Sequence, residues 1–259
     1  MSDTPILELR GISKSFGAVQ ALYEVDFHVS AGEVMALVGD NGAGKSTLIK
    51  CIAGIYSVDS GEVLFEGKPV SIHGPKDAAN LGIEVVYQDL ALADNLDVVQ
   101  NMFLGREELT GLLRSLDELT MEKRANDTLA SLSVTTIRSV RKTVAGLSGG
   151  QRQSVAVAKV VMWNSRVVIL DEPTAALGVA QTRQVLDLVK RLGQQGLAVV
   201  LVSHNLHDIF EVADSITVLR LGQNVSEFKR SEVTQTQVVE AITAGKLSKA
   251  PGIAEEVIA

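Results

Sequence analysis

Cysteine is almost missing from this chain: Cys51 is the only one in 259 residues. A disulfide framework and a cysteine-rich metal site are therefore both excluded. Cys51 lies in the apolar run Thr47–Ala53 and is expected to pack there as a small hydrophobic residue. Long hydrophobic runs are missing too. The longest aliphatic stretch, Leu197–Val202, falls far short of the ~20 residues that cross a bilayer. The opening Met-Ser-Asp-Thr-Pro carries neither a basic nor an apolar leader region, so no secretory signal is expected. No concentrated basic segment occurs, and 24 Lys plus Arg stand against 31 Asp plus Glu for a net charge of −7. Such a chain is poorly suited to gripping a nucleic-acid backbone, and no nucleic-acid partner is expected. Internal repeats and low-complexity segments are also lacking. The expectation is a soluble, cytosolic protein whose membrane role comes through a partner.

A hydrophobic content of 46% is ample for a core and excludes global disorder. Strands are predicted at Ile6–Ile12, Tyr23–Val29, Glu33–Val38, Gly61–Gly67 and Glu84–Tyr87, separated by Gly and Ala-Gly turns. A polar stretch runs from Pro69 to Asn80. Between Asp89 and Trp163 the predicted elements are helices, at Asn95–Leu104, Leu116–Leu132 and Gln151–Trp163, with no convincing strand. Alternation then returns: strands at Val167–Leu170, Ala198–Val202 and Ser215–Arg220, helices at Val179–Gln194 and Leu206–Val212. Apolar strands alternating with helices imply a mostly parallel sheet covered on both faces, an α/β fold. The helical block, at about 89–165, reads as a subdomain inserted into a unit spanning residues 5–230. A last helix at Thr234–Thr243 and a weakly ordered tail from Gly245 are expected to follow.

Residues Gly39–Thr47 read G-D-N-G-A-G-K-S-T, a phosphate-gripping loop. Its glycines let the backbone turn so that successive N–H groups point inward around an anion. Gly39, Asn41, Gly42, Ala43, Gly44, Lys45, Ser46 and Thr47 form this candidate cradle. Lys45 would reach the β- and γ-phosphates and the Ser46 hydroxyl would ligate Mg²⁺. A strand precedes the loop and a helix follows it, so the phosphates would meet a helix N-terminus. This predicts a bound nucleoside triphosphate with Mg²⁺.

Val167–Leu170 runs into Asp171 and Glu172. An acid at the carboxyl end of a buried strand is what a phosphate-loop protein needs to hold Mg²⁺, which is the role predicted for Asp171. Glu172 leaves on the other side, where it could orient or deprotonate an attacking water. The segment Leu147-Ser-Gly-Gly-Gln151 precedes a helical run and forms a second helix N-terminus suited to an anion. Ser148 alone would be explained as a helix cap. Gly149, Gly150 and Gln151 are not, on sequence grounds.

Gly39–Thr47, Gln88, Leu147–Gln151, Val167–Glu172 and His204, in that order, resemble the ATPase subunits of ATP-binding cassette (ABC) transporters. The resemblance runs from about Ile6 to Lys229. It implies a P-loop NTPase core, an N-terminal antiparallel β subdomain and an inserted helical subdomain. It further implies a homodimer paired head to tail, each ATP lying between the cradle of one copy and Ser148, Gly149, Gly150 and Gln151 of the other. By the same resemblance Phe16 stacks on adenine, although on spacing alone it equally fits a strand-edge Phe. Gln88 then touches Mg²⁺ and the water, and His204 meets the γ-phosphate. His28, His73 and His207 have no such support. The implied partners are integral-membrane permeases, docking around Gln88 and Asn95–Arg106, and indirectly a periplasmic solute-binding protein. The implied location is the cytoplasmic face of the membrane.

One departure stands out. Where the family usually reads Ser-Ala-Leu-Asp, this chain has Ala175-Ala-Leu-Gly178, so the carboxylate that reaches the opposite site is replaced by glycine. That stretch, with the run from Asn95 to Glu107, resembles importers of monosaccharides such as ribose, xylose or fructose. Amino-acid import, a soluble non-transport ABC ATPase and a nucleotide-sensing module remain the alternatives at this point.

Overall fold

A strand that is apolar at every position needs cover on both faces, and the central strands of this protein have it. The structure is a computed structural model describing residues 4–111 and 114–245. Its strands are β1 (Leu7–Phe16), β2 (Val19–Val29), β3 (Val34–Val38), β4 (Ser60–Phe65), β5 (Lys68–Val70) and β6 (Ile83–Val86). They continue as β7 (Leu109–Thr110), β8 (Ser115–Leu116), β9 (Val167–Asp171), β10 (Ala198–Val202), β11 (Ser215–Arg220) and β12 (Gln223–Lys229). The helices are α1 (Lys45–Ile52), α2 (Pro75–Asn80), α3 (Val98–Phe103) and α4 (Glu118–Ser131). They are followed by α5 (Gly149–Val161), α6 (Val179–Gln194), α7 (Leu206–Val212) and α8 (Gln235–Ala244).

The larger sheet has the order β12-β11-β3-β10-β9-β6. Every pairing in it is parallel except that of β12 with β11. Alternation within its strands divides the core. Val168 and Leu170 of β9, with Leu201 of β10, join the cluster under α3 to α6. Val167 and Ile169, with Val200, face the cluster shared with β1, β2 and α1. A third cluster lies beneath α7 and α8. The smaller sheet, β2-β1-β4-β5, is antiparallel. In β1 the buried face passes from Leu9 to Ile12 through a bulge at Gly11 (φ +58°), whose N–H donates to Asp26 Oδ1 at 2.8 Å. Bulges of this kind change the side-chain parity of a strand. The expected α/β class, with a mostly parallel sheet and an antiparallel sheet beside it, is the observed one.

Four expectations change. The block from Asp89 to Trp163 is not wholly helical, because β7 and β8 form a short hairpin within it. The polar stretch after Pro69 contains α2, which starts at Pro75 after Gly74; proline in a first turn costs no hydrogen bond. Pro69 itself sits in edge strand β5, where a missing N–H is tolerated. The mostly exposed Gln223–Lys229 forms edge strand β12, invisible to an apolar-run criterion. The expected tail beyond Gly245 lies outside the described residues.

Within the docking stretch expected at Asn95–Arg106, Val98, Val99, Asn101, Met102 and Phe103 of α3 are buried, while Asn95, Gln100, Leu104, Gly105 and Arg106 are exposed. Asn101 is completely buried and is the hub of the preceding loop. Its amide nitrogen donates to the carbonyls of Ala93 (3.0 Å), Leu96 (3.3 Å) and Asp97 (2.9 Å), and its oxygen accepts from Ala93 N–H at 2.7 Å. Asn101→Leu would leave the Ala93 N–H without its acceptor, at about 1–3 kcal/mol for a group left unsatisfied, while the carbonyls of Ala93, Leu96 and Asp97 keep the N–H groups of Leu96, Val144 and residue 101. A loss of about 2 kcal/mol in unfolding free energy is expected. Urea denaturation followed through Trp163, the only tryptophan, measures it. A change under about 0.5 kcal/mol would show the network to be replaceable by packing.

Candidate nucleotide site

Three loops leave the carboxyl ends of neighbouring parallel strands, and the predicted chemistry sits on them. The strands β3, β10 and β9 lie side by side in the sheet. After β3 comes the cradle, after β9 come Asp171 and Glu172, and after β10 comes His204. Gln88 follows β6, the strand beyond β9. This is the sheet edge at which open α/β folds bind ligands.

Gly39 (φ +153°) and Gly44 (φ +103°) are held in conformations that favour glycine. A Cβ on Gly39 would land on the Leu219 carbonyl oxygen, and one on Gly44 would come 2.8 Å from Leu22 Cδ2. The turn between β11 and β12 braces the cradle from behind. Gly222 N–H donates to Ala43 O at 3.0 Å, and Gly222 O accepts from Tyr23 N–H at 2.8 Å. Lys45 Nζ folds back into its own loop, donating to the carbonyls of Gly39 (2.6 Å) and Asp40 (3.0 Å). Burial lowers its pKa, while the nearby charges of Glu172, Asp40 and Asp171 oppose that shift. Asp171 is shifted upward, first by burial and then by Glu172, with Lys45 and Lys50 opposing. An ammonium and two carboxylates thus share one half-buried region. Ser46 is exposed in the first turn of α1.

Glu172 has a left-handed backbone (φ +52°), and its N–H donates to Val202 O at 2.9 Å, extending the pairing of β9 with β10 by one step. That turn sends its side chain toward His204, whose Nδ1 is 2.9 Å from Glu172 Oε2. His204 is largely exposed, with 76% of its side chain open to solvent, whereas Glu172 is mostly covered at 17%. Gln88 is exposed in the turn after β6, and its neighbour Tyr87 is close enough to Asp171 for that charge to help raise the Tyr87 pKa, behind burial.

Phe16 ends β1 and is 43% exposed. Its ring meets Tyr56 edge-on at 5.0 Å between centroids. It pairs with Val19, and Val19, Gln20 and Ala21 wall an open cleft of about 400 Å³ whose floor is Asn41–Thr47. Those three wall residues escaped sequence reasoning, because a strand start with no motif gives no signal. Phe16 lies beside this cleft and not among its walls.

Ser148–Gln151 are not among the walls of that cleft either. The helix starts at Gly149, two residues before the expected Gln151, with Ser148 as its cap. Ser148 N–H donates to Gln151 Oε1 at 2.9 Å, and Gln151 N–H donates to Ser148 Oγ at 3.4 Å. This reciprocal capping box gives Gln151 a local role that the sequence reading did not see. The glycines have one as well. A Cβ on Gly149 would come 2.9 Å from Leu177 Cδ2, and one on Gly150 would come 3.1 Å from Gln181 Cβ. Ser148 and Gly149 nonetheless remain exposed at the start of a 13-residue helix. Gly178 caps α6 with an extended φ of −74° and open space around it. Nothing in the chain's own packing explains why glycine stands there.

The hard oxygen donors around Asp171 suit Mg²⁺, which is bound by one or two carboxylates together with substrate phosphates. Among the described residues no three His, Cys, Asp or Glu converge into a closed metal cage.

The family described as "ABC transporter" matches residues 22–175. Over 251 residues the chain is 46% identical to the fructose import ATP-binding protein FrcA of Rhizobium meliloti, covering 95% of this chain and 96% of that one. It is 45% identical over 249 residues to the xylose/arabinose import ATP-binding protein XylG of Sulfolobus acidocaldarius, covering 96% and 97% respectively. Among solved structures, the ADP conformation of the ATP-binding cassette MJ1267 superimposes with a TM-score of 0.80 at 26% identity, covering 93% of this chain and 98% of that one. A dimeric post-hydrolysis cassette, MJ0796 bound to ADP and Pi, has a TM-score of 0.71 at 25% identity, covering 86% and 98%.

Proposed function

Because the chain belongs to the ABC transporter family of ATP-binding cassettes, we propose that it is the ATP-hydrolysing motor of a monosaccharide importer. The observation that carries this reading is the convergence of Lys45, Asp171, Glu172 and His204 at the carboxyl ends of three neighbouring strands. ATP places its triphosphate in the loop of Gly39, Asn41, Gly42, Ala43, Gly44, Lys45, Ser46 and Thr47, whose N–H groups face the anion. Lys45 exchanges its two carbonyl partners for phosphate oxygens, trading neutral acceptors for charged ones. Ser46, Asp171 and Gln88 would hold Mg²⁺, which neutralises the charge developing on the phosphates. Glu172 takes the proton of the attacking water. His204, beside it, holds a γ-phosphate oxygen. Phe16 covers the adenine.

The second anion-suited helix start, Ser148–Gln151, then serves the ATP held by another copy. Two copies pair so that each nucleotide is enclosed from both sides, and hydrolysis reopens the pair. The permease is met at a groove of about 270 Å³ between β6 and α5. Val85, Leu90 and Trp163 supply apolar surface, and Glu84, Arg106 and Lys159 supply charge. Arg106 bonds Glu84 at 2.9 Å and lies 5.2 Å over the Trp163 ring. An apolar groove with a charged rim suits an amphipathic segment from the cytoplasmic side of a membrane protein. No described helix is long and apolar enough to cross a membrane, so solute passage falls to that partner. The sugar contacts the partner and its binding protein, and this subunit supplies the motion.

The test is turnover in vesicles containing the permease of the same operon. ATP hydrolysis by the wild-type chain is expected to rise with permease and sugar-loaded binding protein. Lys45→Ala is expected to weaken mant-ATP binding by at least tenfold, about 1.4 kcal/mol, because the phosphates lose their counter-ion. Turnover indifferent to any permease would overturn the importer reading. Unchanged nucleotide affinity in Lys45→Ala would overturn the assignment of the cradle.

A further inference from the structure

Glu172 and His204 stand on different loops, and with 76% of the His204 side chain open to solvent their single contact does not by itself fix the geometry between them. Two other links join the same two loops. One is the backbone bond from Glu172 N–H to Val202 O. The other is a side-chain bond in which the Thr174 hydroxyl donates to Asp208 Oδ2 at 2.7 Å. Asp208 is only 3% exposed. It lies in the first turn of α7, four residues after His204, and Thr174 lies two residues after Glu172.

After Glu172 the chain turns tightly through buried Pro173, with Ala175 N–H donating to Glu172 O at 3.1 Å and Leu177 N–H to Thr174 O at 3.3 Å. After β10 the chain turns through Ser203 and Asn205, where Asn205 N–H donates to Ser203 Oγ at 3.0 Å and His207 N–H to Asn205 Oδ1 at 3.0 Å. Each turn is stabilised within itself, and these internal bonds do not connect it to the other. A hydroxyl bound to a buried carboxylate makes a charge-assisted bond, stronger than a neutral one.

We propose that Thr174 and Asp208 are a positioning pair: their half-buried bond ties the turn carrying Glu172 to the helix following His204, and so sets the carboxylate-to-imidazole geometry used in hydrolysis. The inference rests on the ATPase reading above. Neither residue is among the walls of the cleft over Asn41–Thr47. They act through the placement of Glu172 and His204, and a displacement of about 1 Å from productive geometry can cost on the order of a hundredfold in rate. Because the cradle stands on β3, a different strand, ATP affinity does not depend on the tie.

The experiment measures kcat and KM for ATP, mant-ATP affinity and melting temperature for the wild type, Thr174→Val, Thr174→Ser and Asp208→Asn. Thr174→Val keeps the shape and removes the donor. Its kcat is expected to fall at least tenfold, with KM and mant-ATP affinity within about twofold of wild type. Thr174→Ser restores the hydroxyl and is expected to recover kcat to within about threefold. Asp208→Asn can still accept from Thr174 through its amide oxygen but loses the acceptor's charge, so its kcat is expected to fall by about threefold to tenfold with mant-ATP affinity within about twofold of wild type. It keeps the test decisive if the valine variant does not fold. Three results would overturn the pair: valine turning over at the wild-type rate, serine as impaired as valine, or kcat and nucleotide affinity falling together. A wild type that binds ATP without hydrolysing it would instead defeat the ATPase reading, which separates the two failures.

Discussion

Glu172→Gln is expected to cut steady ATP turnover by two to four orders of magnitude, the share a positioned general base usually contributes. ATP binding should remain within about twofold of wild type. The amide has the shape of the carboxylate and cannot take a proton from water. The backbone bond from residue 172 to Val202 O does not involve the side chain, so the turn survives the change. Lys45 of the cradle bonds the carbonyls of Gly39 and Asp40 and not the Glu172 side chain, so the residues that grip the phosphates keep their places. Phosphate release and mant-ATP titration on the same preparation check both halves. Turnover within tenfold of wild type would move the base elsewhere. An equal loss of binding would make Glu172 a ligand of the nucleotide instead.

Ser148→Arg has the second largest expected effect, and it falls on assembly. Ser148 is exposed at the start of α5 and is not among the walls of the chain's own cleft. An arginine there therefore leaves ATP affinity of the single chain within about twofold, while its bulk and charge block the second copy. In the Glu172→Gln background, where ATP persists, light scattering should show ATP-dependent pairing with Ser148 and none with arginine. Turnover in the otherwise wild-type chain should fall below detection. Loss of the cap costs α5 about 1 kcal/mol, a small decrease in stability that a melting curve can separate from failure to pair. Equal loss of ATP affinity and pairing would contradict a site shared between copies.

Some parts of the fold were legible from composition and others were not. Val179–Gln194, Ala198–Val202, Leu206–Val212 and Ser215–Arg220 were expected with the boundaries they have. In these segments an apolar pattern stops where polar or turn residues begin, so burial and local propensity agree. The misses lie at edges. β12 is mostly exposed, β5 contains proline, and the hairpin of β7 and β8 pairs only two residues on each side. Such strands are held by a neighbour's backbone more than by their own hydrophobicity. The helix starting at Gly149 was placed two residues late, because glycine weighs against a helix interior and not against a capped first turn.

In the candidate site, Gly39–Thr47 and Asp171–Glu172 stood out in the sequence because each proposed role occupies a short contiguous segment, whereas His204 stood out only through the family resemblance. A loop that wraps an anion with its own backbone must be local. The order of those segments along the chain was enough to place it in its family. What folding alone settled is which distant segments meet. Parallel pairing puts β10 between β3 and β9, which brings Lys45, Glu172 and His204 to one sheet edge. The turn at Gly222 comes up behind Ala43, and Asp208 comes within bonding distance of Thr174. Side-chain bonds between residues 34 positions apart leave no periodicity or spacing in a sequence, since their partners are chosen by strand order and not by chain order.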